Sequence, residues 1–165
     1  MSTTAGAASR GGEQGIRGGV VRSSQGASAR AFQADAGLAF LRVIAGIIFI
    51  AHGGQKLFSF TIPGVVEGLA AAGVPVPGLT APAVTLLELF GGIALLAGVF
   101  TRIASTGLAV VMLGAIVMVH LPSGFFAPDG IEYPLALFGT MVAFALTGAG
   151  RYSVDGLFAG RRSAG

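Results

Sequence analysis

The stretch LAFLRVIAGIIFIAHGGQKLFSF, residues 38–60, decides the fold class of this chain. An apolar helix of more than 18 residues is a candidate membrane span, and at 1.5 Å per residue this one covers about 30 Å, the thickness of the hydrocarbon core. The stretch nevertheless contains Arg42, His52 and Lys56. Since an ionisable group in hydrocarbon costs about 2.5–3.5 kcal/mol on insertion scales, we expect these side chains to face protein, a wet cavity or the headgroups.

The composition of the whole chain indicates the same class. Of the 165 residues, 53% are hydrophobic and only 10% are charged, and the mean hydropathy is +0.82. These values predict an integral membrane protein surrounded by a lipid bilayer. The chain has no cysteine, so disulfides, thiolate metal sites and redox chemistry by its own sulfur are excluded. The net charge of +3 does not indicate nucleic-acid binding, because the basic residues are scattered and not clustered with aromatic ones.

The first 36 residues differ in composition from the rest. They are rich in Gly, Ser and Ala, carry four arginines and show no apolar periodicity, which predicts a disordered basic tail. No apolar region of the kind found in a cleaved signal precedes Leu38, so we expect the first helix to be retained. The predicted organisation is a tail over 1–36, a four-helix membrane domain over 37–158 and a short basic tail over 159–165.

Three further apolar stretches follow the first one. Several prolines and glycines mark a structured loop over 61–81, within which 65–72 can form a short interfacial helix. The later spans are predicted at 82–100, 103–121 and 133–149, with a proline at the start of the first of these. Because the connections are short and join neighbours, the sequence predicts an all-α membrane protein built as an up-down-up-down bundle of four transmembrane helices.

The arginines predict the orientation of this bundle. If all four stretches span, the N-terminal tail, Arg102 and the C-terminal arginines lie on one side. The positive-inside rule makes that side cytoplasmic. We therefore expect a protein of the bacterial plasma (inner) membrane with both termini in the cytoplasm.

The polar residues inside the spans converge on the outer half of this bundle. His52 and Lys56 are four residues apart and so share a helix face, and Glu88 lies about 10 Å from the outer end of the second span. His120 ends the third span and Glu132 begins the fourth. The sequence predicts that these five residues form one polar site.

Seven short motifs, in order along the chain, resemble the DoxX family over roughly residues 37–158. They are R-x-x-x-G at 42–46, H-G-x-Q-K-L-F at 52–58, E-L-x-G-G at 88–92, L-x-G-V-F-T-R at 96–102, a histidine ending the third span, E-Y at 132–133 and G-x-G-R-Y-S-x-D at 148–155. The resemblance implies a four-helix membrane protein like the small subunit of a thiosulfate:quinone oxidoreductase. It also implies a role in redox or sulfur metabolism or in oxidative-stress defence.

The resemblance further implies a quinone as the non-covalent cofactor and an oxidoreductase partner, so that this subunit alone lacks full activity. On this interpretation the quinone headgroup contacts the outer cluster of His52, Lys56, Glu88, His120 and Glu132. Glu88 and His52 are the candidate catalytic residues, because a carboxyl group in hydrocarbon can exchange a proton and a histidine titrates near neutral pH.

Structural interpretations of the same residues stay open. Glu88 can form an ion pair with Lys56 or His52 that fixes the register of two helices, and we give this equal weight to proton handling. His52 can be a satisfied structural residue. Arg42 is expected to snorkel to the cytoplasmic headgroups or to pair with an acid there. The alternative function is accordingly a non-enzymatic membrane scaffold or small-molecule carrier, and homo-oligomerisation is left open.

Metal-centred cofactors are not predicted. The only bis-histidine pair for haem is His52 with His120, and their depths in the membrane differ by about 10 Å. The same histidines and Glu88 have ligand types suited to zinc, but they lack a compact spacing. We therefore predict no haem and no metal site.

Overall fold

The computed structural model describes the backbone of residues 6–162 and the side chains of Ser28 and residues 30–158. These residues form helices and no strand. The α-helices are α1 (Gly6–Gly54), α2 (Thr61–Ala71), α3 (Pro77–Ala97), α4 (Thr101–Gly114), α5 (Glu132–Thr147) and α6 (Val154–Arg162). Shorter turns extend two of them: a π-helical turn at Gln55–Ser59 follows α1, and a π-helical turn at Ala115–His120 with a 3₁₀ turn at Leu121–Ser123 follows α4.

The chain divides into two compact units, Met1–Gly37 and Leu38–Gly165. α1 begins at Gly6, inside the segment for which the sequence predicts disorder, and no proline precedes Pro63 to interrupt it. α6 likewise runs to Arg162, past the predicted start of the C-terminal tail. Residues 1–5 and 163–165 of these predicted tails lie outside the described residues. The domain boundaries stay a prediction.

Within the described residues, three helical segments are long and apolar enough to cross a membrane: Arg30–Ser59, Pro77–Ala97 and Thr101–Ser123. α5 is equally apolar but has only 16 residues. The prediction of an all-helical membrane protein is therefore confirmed, with three to four helices that can span. The complete four-helix up-down topology stays a prediction.

The loop before the second span is more helical than predicted. A short helix is present as expected, but α2 begins at Thr61 instead of residue 65. α3 begins at Pro77, five residues before the predicted Pro82, which lies inside the helix. The reason is that Pro77 already occupies the first helical turn, where a missing N–H leaves no hydrogen bond unmade.

α1 and α3 approach each other closely where α1 ends. A Cβ atom placed on Gly53 would lie 2.5 Å from the backbone nitrogen of Leu89, so only glycine permits this contact. The sequence leaves open whether a ligand or a backbone approaches Gly53, and in the structure it is the backbone of α3. This contact sets the last turn of α1 beside the middle of α3.

The buried core joins four helices of the unit Leu38–Gly165. α4 packs against both α3 and α5. The largest fully buried apolar side chains are Phe49, Leu95, Leu108, Met141 and Phe144. Many large apolar side chains point outwards, among them Phe40, Phe90, Ile103 and Leu146. Such extensive apolar exposure is what a surface surrounded by lipid requires.

Candidate functional site

An ion pair between Lys56 and Glu88 links the end of α1 to the middle of α3. The Lys56 ammonium donates a hydrogen bond to Oε2 of Glu88. The Glu88 side chain is only 3% exposed, whereas that of Lys56 is 24% exposed. The contact predicted between these residues is present, and Glu88 does not face lipid. The pairing follows from physical chemistry, because leaving one of these charges buried without a partner is strongly destabilising.

Lys56 lies in a π-helical turn, Gln55–Ser59, and a second such turn occupies Ala115–His120. π-Helical turns are rare, and they occur frequently at functional sites, where the extra residue redirects side chains. In this chain one turn presents Lys56 to Glu88. The other contributes to the wall of a cavity that Glu88 also lines.

This cavity, which we call the Glu88 cavity, has a volume of about 230 Å³ and lies between α2, α3 and α4. Glu88 and Thr80 are its only polar side chains, and Glu88 is its only ionisable one among the described residues. Its lining residues are Leu69, Val74, Thr80, Val84, Glu88, Val110, Val111, Gly114, Ala115, Met118 and Val119. The geometry is that of an apolar chamber with a carboxylate in its wall.

His52 contacts α5, whereas Lys56 contacts α3. Its side chain is exposed, its Nε2 lies 3.4 Å from the hydroxyl oxygen of Tyr133 at the start of α5, and the two ring centroids are 5.9 Å apart. Tyr133 is a candidate site residue that our sequence reasoning missed, although it belongs to the E-Y motif. A second missed residue is Thr85, a fully buried threonine one turn before Glu88, whose hydroxyl has no hydrogen-bond partner among the described residues.

His120 and Glu132 stabilise the loop between α4 and α5. His120 Nδ1 lies 2.7 Å from the carbonyl oxygen of Asp129, and Glu132 Oε1 accepts a 2.8 Å hydrogen bond from the backbone N–H of Ala127. These contacts hold the two ends of the loop together. His120 and Glu132 therefore have structural partners of their own.

The direct contacts of these five residues thus form three sets, and their predicted grouping into one site stays a prediction. In the described part of the chain, no hydrogen bond or ion pair joins His52, His120 or Glu132 to Glu88. Depth along a helix can be read from the sequence, but the direction of each side chain around the helix depends on packing. Within residues 30–158 no three His, Asp or Glu side chains lie close enough to hold a metal ion. The functional role of the five residues stays a prediction.

Arg42 does not snorkel to the headgroups. It is only 4% exposed, and its Nη2 donates a 2.7 Å hydrogen bond to the carbonyl oxygen of Tyr152. Asp155 lies close enough for a favourable electrostatic interaction with the guanidinium. Among the described residues no ion pair joins Arg42 to an acid, so its direct partner is the backbone carbonyl of Tyr152, and the predicted pairing with an acid is met only by this longer-range interaction.

The sequence of this chain matches a family of known proteins. The family model described as DoxX matches residues 37–121. "Putative oxidoreductase CatD" of Bacillus subtilis is 33% identical over 121 residues, which cover 73% of this chain and 86% of that protein. "Inner membrane protein YqjF" of Escherichia coli is 33% identical over 128 residues, covering 74% of this chain and 92% of that protein. No solved structure shows a significant match.

Proposed function

Since this chain belongs to the DoxX family, we propose that it is a membrane subunit of a quinone-linked oxidoreductase complex in the bacterial plasma (inner) membrane. The proposal is consistent with the names of two relatives, an oxidoreductase and an inner membrane protein. In the proposed orientation both termini lie in the cytoplasm. The role lies in redox or sulfur metabolism or in oxidative-stress defence.

The observation that carries the proposal is the buried carboxylate of Glu88 in the wall of an apolar cavity. A bound quinone would accept two electrons and two protons. Protons reach such a site poorly through hydrocarbon. Lys56 is partly exposed and contacts Glu88, which is buried and lines the cavity, so the two side chains form a relay from the protein surface to the cavity. Carboxylates within hydrogen-bond reach of a reacting group commonly act as general acids and bases.

The Glu88 cavity is large enough for a quinone headgroup and is mostly apolar. An apolar cavity of 150 Å³ is large enough to hold benzene, so about 230 Å³ is enough for one substituted ring. Ligand sites of this kind are mostly apolar with a few polar groups that fix orientation. Glu88 and Thr80 are the polar groups here. The electrons come from a partner protein that oxidises the donor, because this chain has no cysteine with which to carry them.

The test is the quinone-dependent turnover of the complex isolated with its partner, or complementation of an oxidant-sensitivity phenotype. We expect Glu88→Gln to lower turnover at least about tenfold, because glutamine keeps the shape but carries no exchangeable acidic proton. Glu67→Gln is the matched control, since Glu67 is exposed on α2. Amounts of folded protein in the membrane must be equal. Full turnover by Glu88→Gln would contradict the proposed role of Glu88.

Arg42→Lys is not a neutral control for Glu88→Gln, because it is expected to reduce the amount of folded protein. A snorkelling arginine would tolerate lysine, but the buried guanidinium of Arg42 bonds to Tyr152 and packs against Gly98. We still expect Glu88→Gln to impair turnover per folded molecule more than Arg42→Lys does. The loss in Arg42→Lys should instead appear as a smaller amount of folded protein.

The alternative function, a scaffold or small-molecule carrier, is favoured by one observation. A buried ion pair such as that of Lys56 and Glu88 can serve only to fix the register of α1 and α3. Extraction of lipid-soluble molecules from the purified protein, with absorbance spectra, separates the two functions. A co-purifying quinone supports the oxidoreductase subunit, and its reproducible absence supports the alternative.

A further inference from the structure

One oxygen of the Glu88 carboxylate is available as a hydrogen-bond acceptor. The ion pair with Lys56 uses Oε2, and Oε1 accepts no hydrogen bond from any residue that the structure describes. Oε1 is also not among the buried side-chain oxygens that lack a partner in the described residues, so part of its surface is accessible. Because Glu88 lines the Glu88 cavity, Oε1 is an accessible acceptor beside a ligand-sized space.

We infer that the Glu88 cavity binds an apolar one-ring molecule that carries a hydroxyl group, with Glu88 Oε1 accepting the hydrogen bond from that hydroxyl. This inference rests on the proposed function and adds the chemical form that binds: a phenol or the reduced, hydroxyl-bearing form of a quinone.

The chemistry of the cavity wall selects the hydroxyl. An ionised carboxylate only accepts hydrogen bonds, so it cannot bond to a carbonyl oxygen. Lys56 is a donor, but it does not line the cavity. The hydroxyl of Thr80 already donates to the carbonyl oxygens of Pro75 and Val76, at 2.9 and 3.1 Å. A ligand with only carbonyl groups therefore finds no free donor in the described wall, whereas a hydroxyl finds Oε1.

The volume of the Glu88 cavity matches a ligand of one ring. The volume of about 230 Å³ exceeds the 150 Å³ that holds benzene by roughly a few methyl groups. Gly114 opens part of this space, because a Cβ placed on it would meet no atom within 4 Å. A longer apolar tail would have to leave the chamber into the bilayer.

The probes are 4-fluorophenol and 4-fluorotoluene, which differ only in a hydroxyl in place of a methyl group. Each is titrated into the full-length protein in lipid nanodiscs, and binding is followed by the ¹⁹F chemical shift. We expect 4-fluorophenol to bind at least about tenfold more tightly, as a hydrogen bond to a charged acceptor implies. Equal affinities, or saturable binding of neither probe, would overturn the inference.

Two variants place the binding in the Glu88 cavity. Gly114→Leu should abolish saturable binding by filling the chamber, and its backbone at φ −60° accepts a side chain. Gly139→Leu is the matched control on α5, where a Cβ also meets nothing within 4 Å but the residue does not line the Glu88 cavity, and it should bind like the natural protein. Unchanged binding by Gly114→Leu would refute the assignment of the site.

A third variant tests the acceptor. Glu88→Leu with Lys56→Met replaces the ion pair by apolar side chains of similar volume, a change that buried pairs often tolerate. We expect it to bind the two probes with similar affinity. A retained preference for 4-fluorophenol would show that Glu88 is not the acceptor.

The inference and the proposed function can fail separately. Selective binding of 4-fluorophenol without quinone-dependent turnover would leave the inference standing and refute the function. Quinone-dependent turnover with no selective binding, or turnover that survives Gly114→Leu, would support the function and refute the inference.

Discussion

At the scale of single residues, Arg42 and Gly98 depend on each other. The Arg42 side chain occupies the volume that a Cβ at position 98 would fill, and Gly98 has a left-handed backbone with φ +68°. Two nitrogens of the guanidinium, Nε and Nη1, have no hydrogen-bond partner among the described residues. The hydrogen bond to the Tyr152 carbonyl is therefore the main direct polar contact that orients this buried cation.

Gly98→Ala is expected to destabilise the protein. The left-handed backbone disfavours alanine by about 1–3 kcal/mol, and the new Cβ would also displace the Arg42 guanidinium. Thermal unfolding in detergent measures the effect. Gly139→Ala is the control, because Gly139 lies in α5 with open space around its Cβ, so alanine there should be neutral or slightly stabilising. Equal melting temperatures for the two variants would contradict this account.

The surroundings of Glu88 can be predicted from the sequence only in part. Their pairing follows from the cost of a lone charge at similar depths on two apolar helices, and both depths can be read from the sequence. The free oxygen of Glu88 could not be read in this way, since it depends on which neighbours surround the carboxylate. The cavity around it is formed by side chains from three helices.

At the scale of elements, the start of α4 is held by a residue distant in sequence. α4 has no side-chain cap at its own N-terminus. Instead the carboxylate of Asp155 accepts hydrogen bonds of 2.9 Å from the backbone N–H groups of Phe100 and Thr101. The backbone N–H of Asp155 in turn donates to the carbonyl oxygen of Gly98 at 2.9 Å. These bonds join the start of α6 to the turn between α3 and α4.

Asp155→Ala should therefore lower the free energy of unfolding by about 0.5–2 kcal/mol, the usual effect of removing a helix cap. Part of this loss comes from removing a negative charge at the positive end of the α4 dipole. Asp129→Ala is the matched control, because the Asp129 side chain is exposed and only its backbone oxygen is used, by His120. Denaturant unfolding in mild detergent gives the comparison, and a larger loss in Asp129→Ala would count against the cap.

At the scale of the whole molecule, α5 decides the topology. Its 16 residues reach about 24 Å, less than the hydrocarbon thickness of about 30 Å. If α5 spans, the loop after α4 and the helix α6 lie on opposite sides of the membrane. If it does not, they lie on the same side.

We predict that α5 spans, because the arginines of the C-terminal segment then join Arg102 on the cytoplasmic side. Single cysteines at the exposed positions Ser123 and Leu157 test this in a chain that has none. A membrane-impermeant maleimide should label Ser123→Cys in intact cells and Leu157→Cys only after permeabilisation. Labelling of Leu157→Cys in intact cells would refute the predicted orientation.

The sequence by itself determined the membrane class, the long apolar helices and the pairing of Glu88 with a base on the first helix, either Lys56 or His52. Each of these depends on a local property: apolar length, or the free energy of a charge at a given depth in hydrocarbon. Proline and glycine similarly located the short helix between the first two spans, although its start was displaced by a few residues.

Only the tertiary structure decided which polar residues meet. His52 and Lys56 share one helix face in sequence terms, yet His52 contacts α5 and Lys56 contacts α3. Arg42 was expected to reach the headgroups or to pair with an acid there, and it is instead buried with a hydrogen bond to the backbone of the segment after α5. The physical reason is that the rotation of each helix about its axis is set by packing against its neighbours, which the spacing of residues along one helix does not contain.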